Sequence, residues 1–243
     1  MAERRADGEA TLKCAIMQPT YIPWSGYFNL IASVEAFVFL DNVQFERQSW
    51  QSRNRILLQG REHLLVVPVE RAPLSTAICD IVTSESRSSW RRHHWMTLKA
   101  AYGKARHGRE LLDLLESIYA SEEPIHLAHF NMAIIECLAQ ALRLPARFLR
   151  ASGLDCDGQR TERLIEICEK LEADTYLSPR GSAEYLATDG FTTATAVNLE
   201  FQAFTPAPYK QYRAESFASH LSIVDVIANT GLAHARAYVS ESA

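Results

Sequence analysis

Apolar residues fall in short blocks at the start of the chain. Cys14-Ala15-Ile16-Met17 is followed by Leu30-Ile31-Ala32, and that by Ala36-Phe37-Val38-Phe39-Leu40. The first and last blocks have strand length, so Cys14–Gln18 and Ala36–Leu40 read as strands and Phe28–Val34 as the helix between them. The second strand has no polar position, which fits a strand covered on both faces of a parallel sheet. Strand, helix and strand form a βαβ unit, right-handed in nearly all known cases. Arg55–Leu58 and His63–Val69 flank Gln59-Gly60-Arg61-Glu62 and predict a hairpin, with Gly60 suited to its tight turn. Ala77–Val82 predicts a further strand.

The period then becomes helical. Ser88 or Ser89 can cap a helix running to Tyr102, Arg109–Tyr119 predicts a second, and Pro124 opens a third that ends before Pro145. Arg147-Phe148-Leu149 returns as a strand. Thr161–Leu171 places Leu164, Ile165, Ile167, Cys168 and Leu171 at helical spacing. Thr175–Leu177 and Val197–Phe201 predict late strands, with helices over Ser182–Leu186 and Leu221–Thr230. Strand–helix alternation at both ends predicts an α/β fold with a mainly parallel sheet, flanking helices and a helical insertion over about 88–145. The chain carries no internal repeat, so residues 13–243 read as a single domain behind a disordered tail, 1–12.

Composition narrows the function classes. The net charge of −4 gives no dense cationic field, which argues against nucleic-acid binding. Five cysteines without a Cys-x-x-Cys pair point to reduced thiols in a cytoplasmic protein, not to a disulfide framework or a zinc knuckle. The charged start of the chain is no signal peptide. Residues 125–144 carry His126, His129, Asn131, Glu136, Gln140 and Arg143, which excludes a membrane span; that helix is either core or a homodimer face.

The most informative segment is Met17-Gln18-Pro19-Thr20-Tyr21-Ile22-Pro23-Trp24-Ser25-Gly26-Tyr27-Phe28. Two prolines stiffen it. Gln18, Tyr21, Trp24 and Tyr27 are large side chains with polar tips, more than a plain connector needs. Ligands of doubly wound sheets bind at the carboxyl ends of strands. That rule selects this loop, the segment Asp41–Phe45 with Gln44, and Ser178-Pro179-Arg180-Gly181-Ser182. The third segment either binds an anion at a helix start or is ordinary capping. Arg47-Gln48-Ser49-Trp50-Gln51-Ser52-Arg53-Asn54-Arg55 packs guanidinium groups, carboxamides and an indole together. It reads as a binding segment using Arg47, Trp50, Arg53 and Asn54, or as a surface run of incidental salt bridges.

His93 and His94 point about 100° apart on a helix and cannot share a metal. His126 and His129 have metal-pair spacing but no third ligand, so no metal and no cofactor is expected. The hydrolase elbow, the phosphate loop, the zinc-protease helix and the dinucleotide fingerprint are all missing. Asp155 and Asp157 beside Cys156 oppose its ionisation, and no cysteine reads as a nucleophile.

The opening motif resembles the WbqC-like protein family. The resemblance continues through Phe37–Phe45, Trp50–Ile56, His94 with Tyr102, Tyr176-Leu177-Ser178, Gly181–Leu186, Tyr209-Lys210-Gln211 and Leu221–Asp225 with Asn229 and Gly231. It covers roughly residues 13 to 235. Ser52 stands where the family pattern has Asn, Pro179-Arg180 replaces a small pair, and Lys104–Gly108 departs from a Pro-aromatic ending. The opening strand and loop are also similar to nucleotidyltransferases of the HUP type, a Rossmann-like group, although Trp24-Ser25-Gly26-Tyr27 lacks their histidines, and such an analogy carries no activity.

The resemblance implies a group transferase, aminoacyl or acyl, in bacterial surface-polysaccharide (O-antigen) or secondary-metabolite biosynthesis, working without a metal on a small or carrier-protein-bound substrate. Asp41 and His94 are the candidate acid–base groups. Arg47, Arg53 and Arg180 would hold an anion, and Gln18, Gln44 and Asn54 the polar groups of the substrate. Tyr21, Trp24, Tyr27 and Trp50 would wall the site, and Ser178, Tyr209 and Gln211 join it through the late motifs. A non-catalytic accessory protein binding a carrier- or nucleotide-linked intermediate is the alternative, with a thioester hydrolase third.

Overall fold

A computed structural model of the chain describes residues 11–84, 89–120 and 125–241. It opens with β1 (Lys13–Met17), α1 (Ser25–Ala32) and β2 (Ala36–Phe39), followed by the hairpin β3 (Arg53–Leu58) and β4 (Arg61–Val66). Next come α2 (Trp90–Tyr102), α3 (Gly108–Ala120) and α4 (Leu127–Ala141), then β5 (Arg147–Arg150), α5 (Thr161–Lys170) and β6 (Thr175–Ser178). The last elements are α6 (Ala183–Thr188), α7 (Phe191–Ala194), β7 (Asn198–Phe201), α8 (Ile223–Thr230) and α9 (Leu232–Ser240). Ser88, Pro124 and the tail residues 1–10 lie outside the described residues. Leu12 is anchored: its N–H donates to the Asp174 carboxylate at 2.8 Å and its carbonyl accepts from the Asp174 N–H.

Five strands form one all-parallel sheet in the order β5-β2-β1-β6-β7. Alternate residues of each strand feed two cores, as the period of two requires. Ala15, Phe37 and Phe39 face a large core shared by the hairpin, α1 to α4, α8 and α9. Cys14, Ile16, Ala36, Val38 and Tyr176 face a smaller one closed by α5, α6 and α7. This is a Rossmann-like α/β fold. The helices α2 to α4, which the sequence reads as an insertion, share the continuous larger core, and the apolar positions of α4 lie inside it.

One expected strand is corrected. Ala77–Val82 forms a short 3₁₀ turn at Ile78–Asp80, not a strand of the sheet. The N–H groups of Ile78 and Cys79 donate to the carbonyls of Val43 and Asp41, so the segment fastens the loop after β2 and has no ladder to join.

Strand order decides where a ligand fits. From β1 the chain moves to β2 and β5 on one side, then returns to β6 and β7 on the other. The order therefore reverses between β1 and β6, the crevice where ligands of open α/β sheets bind.

Asp41, at the tip of β2, is almost completely buried. One carboxylate oxygen accepts the Ser152 N–H at 2.9 Å and the other accepts the Ser152 hydroxyl at 2.7 Å. It thus clamps the turn after β5 to the end of β2. Asp41→Ala removes two hydrogen bonds to a buried carboxylate, a loss of about 2 kcal/mol. Thermal unfolding should shift down by roughly 4–8 °C; an unshifted transition would show that the clamp contributes nothing.

Candidate functional site

The proline loop is fixed from behind by amides. The Asn54 side chain donates to the carbonyls of Tyr21 and Ile22 at 3.0 and 3.1 Å. The Asn131 amide, fully buried on α4, donates to the carbonyls of Pro19 and Gln51 at 3.0 and 2.8 Å. The Tyr21 N–H donates to the Trp50 carbonyl at 3.1 Å. Gln51 donates from its side-chain amide to the Gln18 side-chain oxygen at 2.9 Å, and the Tyr27 hydroxyl donates to the Gln18 carbonyl at 3.0 Å. Ile22 sits at φ 35°, a region that costs a β-branched residue on the order of 1–3 kcal/mol. The Asn54 bonds hold that strained carbonyl in place.

The segments so joined shape two adjoining cavities at the carboxyl end of the sheet. The first, of about 370 Å³, lies over the β1/β6 crevice. Met17, Leu40 and Leu164 give it an apolar floor, and Gln18, Gln51, Ser49, Ser182 and Tyr185 supply polar groups. The second, of about 280 Å³, is lined by Trp24, Tyr27, Trp50, Asn54, Arg55 and His220 among others. Met17, Thr20 and Trp50 line both cavities, making one two-lobed cleft. Trp24 stacks on His220 with ring centres 4.9 Å apart. The cationic groups of Arg53 and Arg55 lie 5.9 and 5.6 Å from the centre of the Trp50 ring.

Of the residues selected from sequence, Gln18, Trp24, Tyr27, Trp50 and Asn54 line this cleft, and Arg53 stands beside it. Other selected residues lie elsewhere. Gln44 and Arg47 line a third cavity of about 320 Å³ that shares Glu46 with the first lobe, and Arg47 donates there to the Ala72 carbonyl at 3.3 Å. Arg180 donates to the Gln202 carbonyl, and Ser178 is buried against the Ser182 hydroxyl at 2.6 Å; neither serine side chain caps a helix N–H there. Asp41 faces Ser152, one strand away from the crevice. Tyr209 and Gln211 both donate to the Asp225 carboxylate, at 2.6 and 2.8 Å, and pin the segment before α8. Burial raises the pKa of Asp225 against those bonds.

Tyr21 and His94 form a buried chain behind the loop. The Tyr21 hydroxyl stands 2.8 Å from His94 Nδ1 and 2.7 Å from the Tyr119 hydroxyl. Burial lowers the His94 pKa from 6.5 to about 4, against a smaller upward pull from its hydrogen bond to the Val66 backbone. Burial also raises both tyrosines. A neutral His94 that donates to Val66 leaves Nδ1 to accept from Tyr21, which in turn accepts from Tyr119. The chain braces the loop from the core side, and its members are absent from the residues that line the two lobes.

Sequence reasoning passed over Thr20, Glu46, Ser49, Gln51, Ser182, Tyr185, Arg55 and His220, which line the cleft. Most belong to segments already singled out. His220 lies far along the chain, and only the fold brings it to Trp24. Glu46 is the one carboxylate among the lining residues of the two lobes. Among the described residues, no group of three or more His, Cys, Asp or Glu side chains is placed to hold a metal ion, and no helix is long and apolar enough to cross a membrane.

The WbqC-like protein family matches residues 18–237. The chain is also 29% identical over 222 residues to the uncharacterized protein Rv1507c of Mycobacterium tuberculosis, covering 90% of this chain and 94% of that one. No solved structure matches the chain.

Two substitutions test the geometry. Because the folded pKa of His94 is depressed, the unfolded chain binds a proton there between pH 6.5 and about 4 that the folded chain does not. Its contribution is full above pH 6.5 and falls by about 3 kcal/mol as pH drops to 4. His94→Gln, which can still accept from Tyr21, should flatten the fall in melting temperature between pH 6.5 and 5; the wild-type slope in the variant would contradict a buried neutral His94. A Cβ on Gly26 would stand 2.1 Å from the Trp24 ring. Gly26→Ala should displace the indole, change the near-ultraviolet circular dichroism and cost about 1–3 kcal/mol. An unchanged spectrum would mean that Trp24 is not packed on that glycine.

Proposed function

The chain belongs to the WbqC-like protein family, and from that premise we propose that it is a group transferase whose two-lobed cleft holds donor and acceptor side by side. One observation carries the reading: two cavities of different chemistry share Met17, Thr20 and Trp50 as a common wall over the β1/β6 crevice. The aromatic and arginine-bearing lobe suits an activated donor. The lobe of carboxamides and hydroxyls suits a sugar or an amine acceptor. Holding two reactants in contact supplies a large part of a transfer barrier without a metal or a covalent enzyme intermediate. Partly apolar walls such as Leu40, Leu164 and Trp50 limit competition from water.

The step itself balances simply. The acceptor oxygen or nitrogen attacks the donor acyl carbon, and the bond from that carbon to the donor leaving group breaks. The acceptor proton passes to Glu46 and then to the departing group. Asp41 and His94 are positioning residues in this scheme, because each is committed to partners away from the cleft. The setting is the biosynthesis of bacterial surface polysaccharide or secondary metabolites.

The withdrawal of Asp41 and His94 also favours a second reading, a binding protein that presents an activated intermediate to another enzyme. Product analysis separates the two. The protein is incubated with acyl and aminoacyl thioesters and nucleotide-linked donors, each paired with sugar and amine acceptors, and products are read by mass spectrometry. The transferase reading expects turnover that falls about 100-fold or more in Glu46→Gln while binding persists. Binding of donors with no product from any pair would contradict transfer and favour the accessory role.

A further inference from the structure

The outer face of the hairpin explains what the aromatic lobe selects. Arg53 and Arg55 alternate onto one side of β3. They stand opposite Val66 and Leu64 of β4, whose side chains share that face. Val66, Leu64 and Trp50 are 48%, 44% and 49% exposed, so an apolar rim surrounds the two arginines.

Each guanidinium is buried at its inner end. The Nε of Arg53 and of Arg55 is buried without an acceptor among the described residues, and both cationic groups lie over the Trp50 ring. Stacking of this kind costs the side chains their freedom before any ligand arrives, leaving the terminal nitrogens as the donors. Arg53 has no acceptor among the described residues. Arg55 gives one terminal nitrogen to Glu62 at 2.9 Å, an ion pair half open to solvent and so a weak competitor. Two planar donors carried by residues about 7 Å apart along one strand face can bracket a tetrahedral oxyanion, whereas a lone carboxylate would satisfy only one of them.

The same indole and Arg55 line the aromatic lobe, together with Trp24 stacked on His220. We propose that this lobe binds a phosphate ester, with Arg53 and Arg55 holding the phosphate oxygens at the lip and the attached planar or slender group entering beside Trp24 and Trp50. The site rests on the two-lobed reading of the cleft and names the donor class, but it needs no turnover to be detected. A nucleoside diphosphate and a 4′-phosphopantetheine both present this chemistry.

Equilibrium titration of the full chain tests it, following tryptophan emission and heat. The probes are inorganic pyrophosphate, a nucleoside diphosphate, 4′-phosphopantetheine, and the nucleoside and pantetheine without phosphate. At least one phosphorylated probe should bind, about tenfold or more tighter than its dephosphorylated form, and the preferred arm identifies the attached group. Arg53→Gln/Arg55→Gln should erase that advantage with the melting temperature kept. If this variant unfolds, Arg53→Lys/Arg55→Lys takes its place; it keeps the charge and loses the bidentate fork, so it should weaken binding by a smaller factor. Failure of every phosphorylated probe to bind, equal binding with and without phosphate, or wild-type affinity in the variants would each overturn the proposal. Transfer from a phosphorylated donor at an unchanged rate in the variants would remove the phosphate site and leave the transferase reading standing.

Discussion

Everything at the carboxyl end of the sheet depends on two buried amides. Asn54 and Asn131 take the carbonyls of Pro19, Tyr21, Ile22 and Gln51, so two chain segments that are remote in sequence become one rigid wall. An irregular loop lacks a ladder partner for its carbonyls, and buried carbonyls left unpaired are costly. The amides solve that problem and hold Ile22 in a backbone region it would not choose. Strain over-determined in this way is typical of loops that must keep a shape for a ligand.

The fold places that wall where it has a use. A parallel sheet whose strand order reverses beside β1 leaves a crevice that neither flanking helix layer fills. Met17 and Leu40, at the ends of β1 and β2, line it, while the hairpin residues Asn54 and Arg55 line the adjoining lobe. The buried Tyr119–Tyr21–His94 chain completes the support on the side away from the ligand. Polar residues in the motif segments therefore divide by direction. Those aimed inward fix the backbone, those aimed outward make the cleft, and Asn54 does both.

That division marks what was legible in the sequence. Strands with no polar position, such as Ala36–Phe39, announced a covered parallel sheet, and the proline-rich stretch announced a rigid loop at a strand tip. The βαβ start and the hairpin were equally plain. Residue direction was not legible: Tyr21, His94, Tyr209 and Gln211 have the composition of a binding site yet point into the core. Asp41 read as an acid–base group at a strand tip, but Ser152, more than a hundred residues on, bonds both its oxygens. His220 showed no local pattern, because its stacking on Trp24 exists only after folding. Ala77–Val82 has strand composition but is claimed by the carbonyls after β2. In each case a long-range partner overrode a sound local reading.

The central claim is that a ligand sits over the β1/β6 crevice, against the wall the two amides build. Hydrogen exchange followed by mass spectrometry, with and without whichever donor or acceptor raises the melting temperature most, tests it directly. The account predicts slowed exchange in residues 18–24, 46–55 and 179–185, with the segment around Leu74 unchanged. Protection confined to the cavity of Gln44, Arg47 and Leu74, with residues 18–24 unaffected, would contradict it.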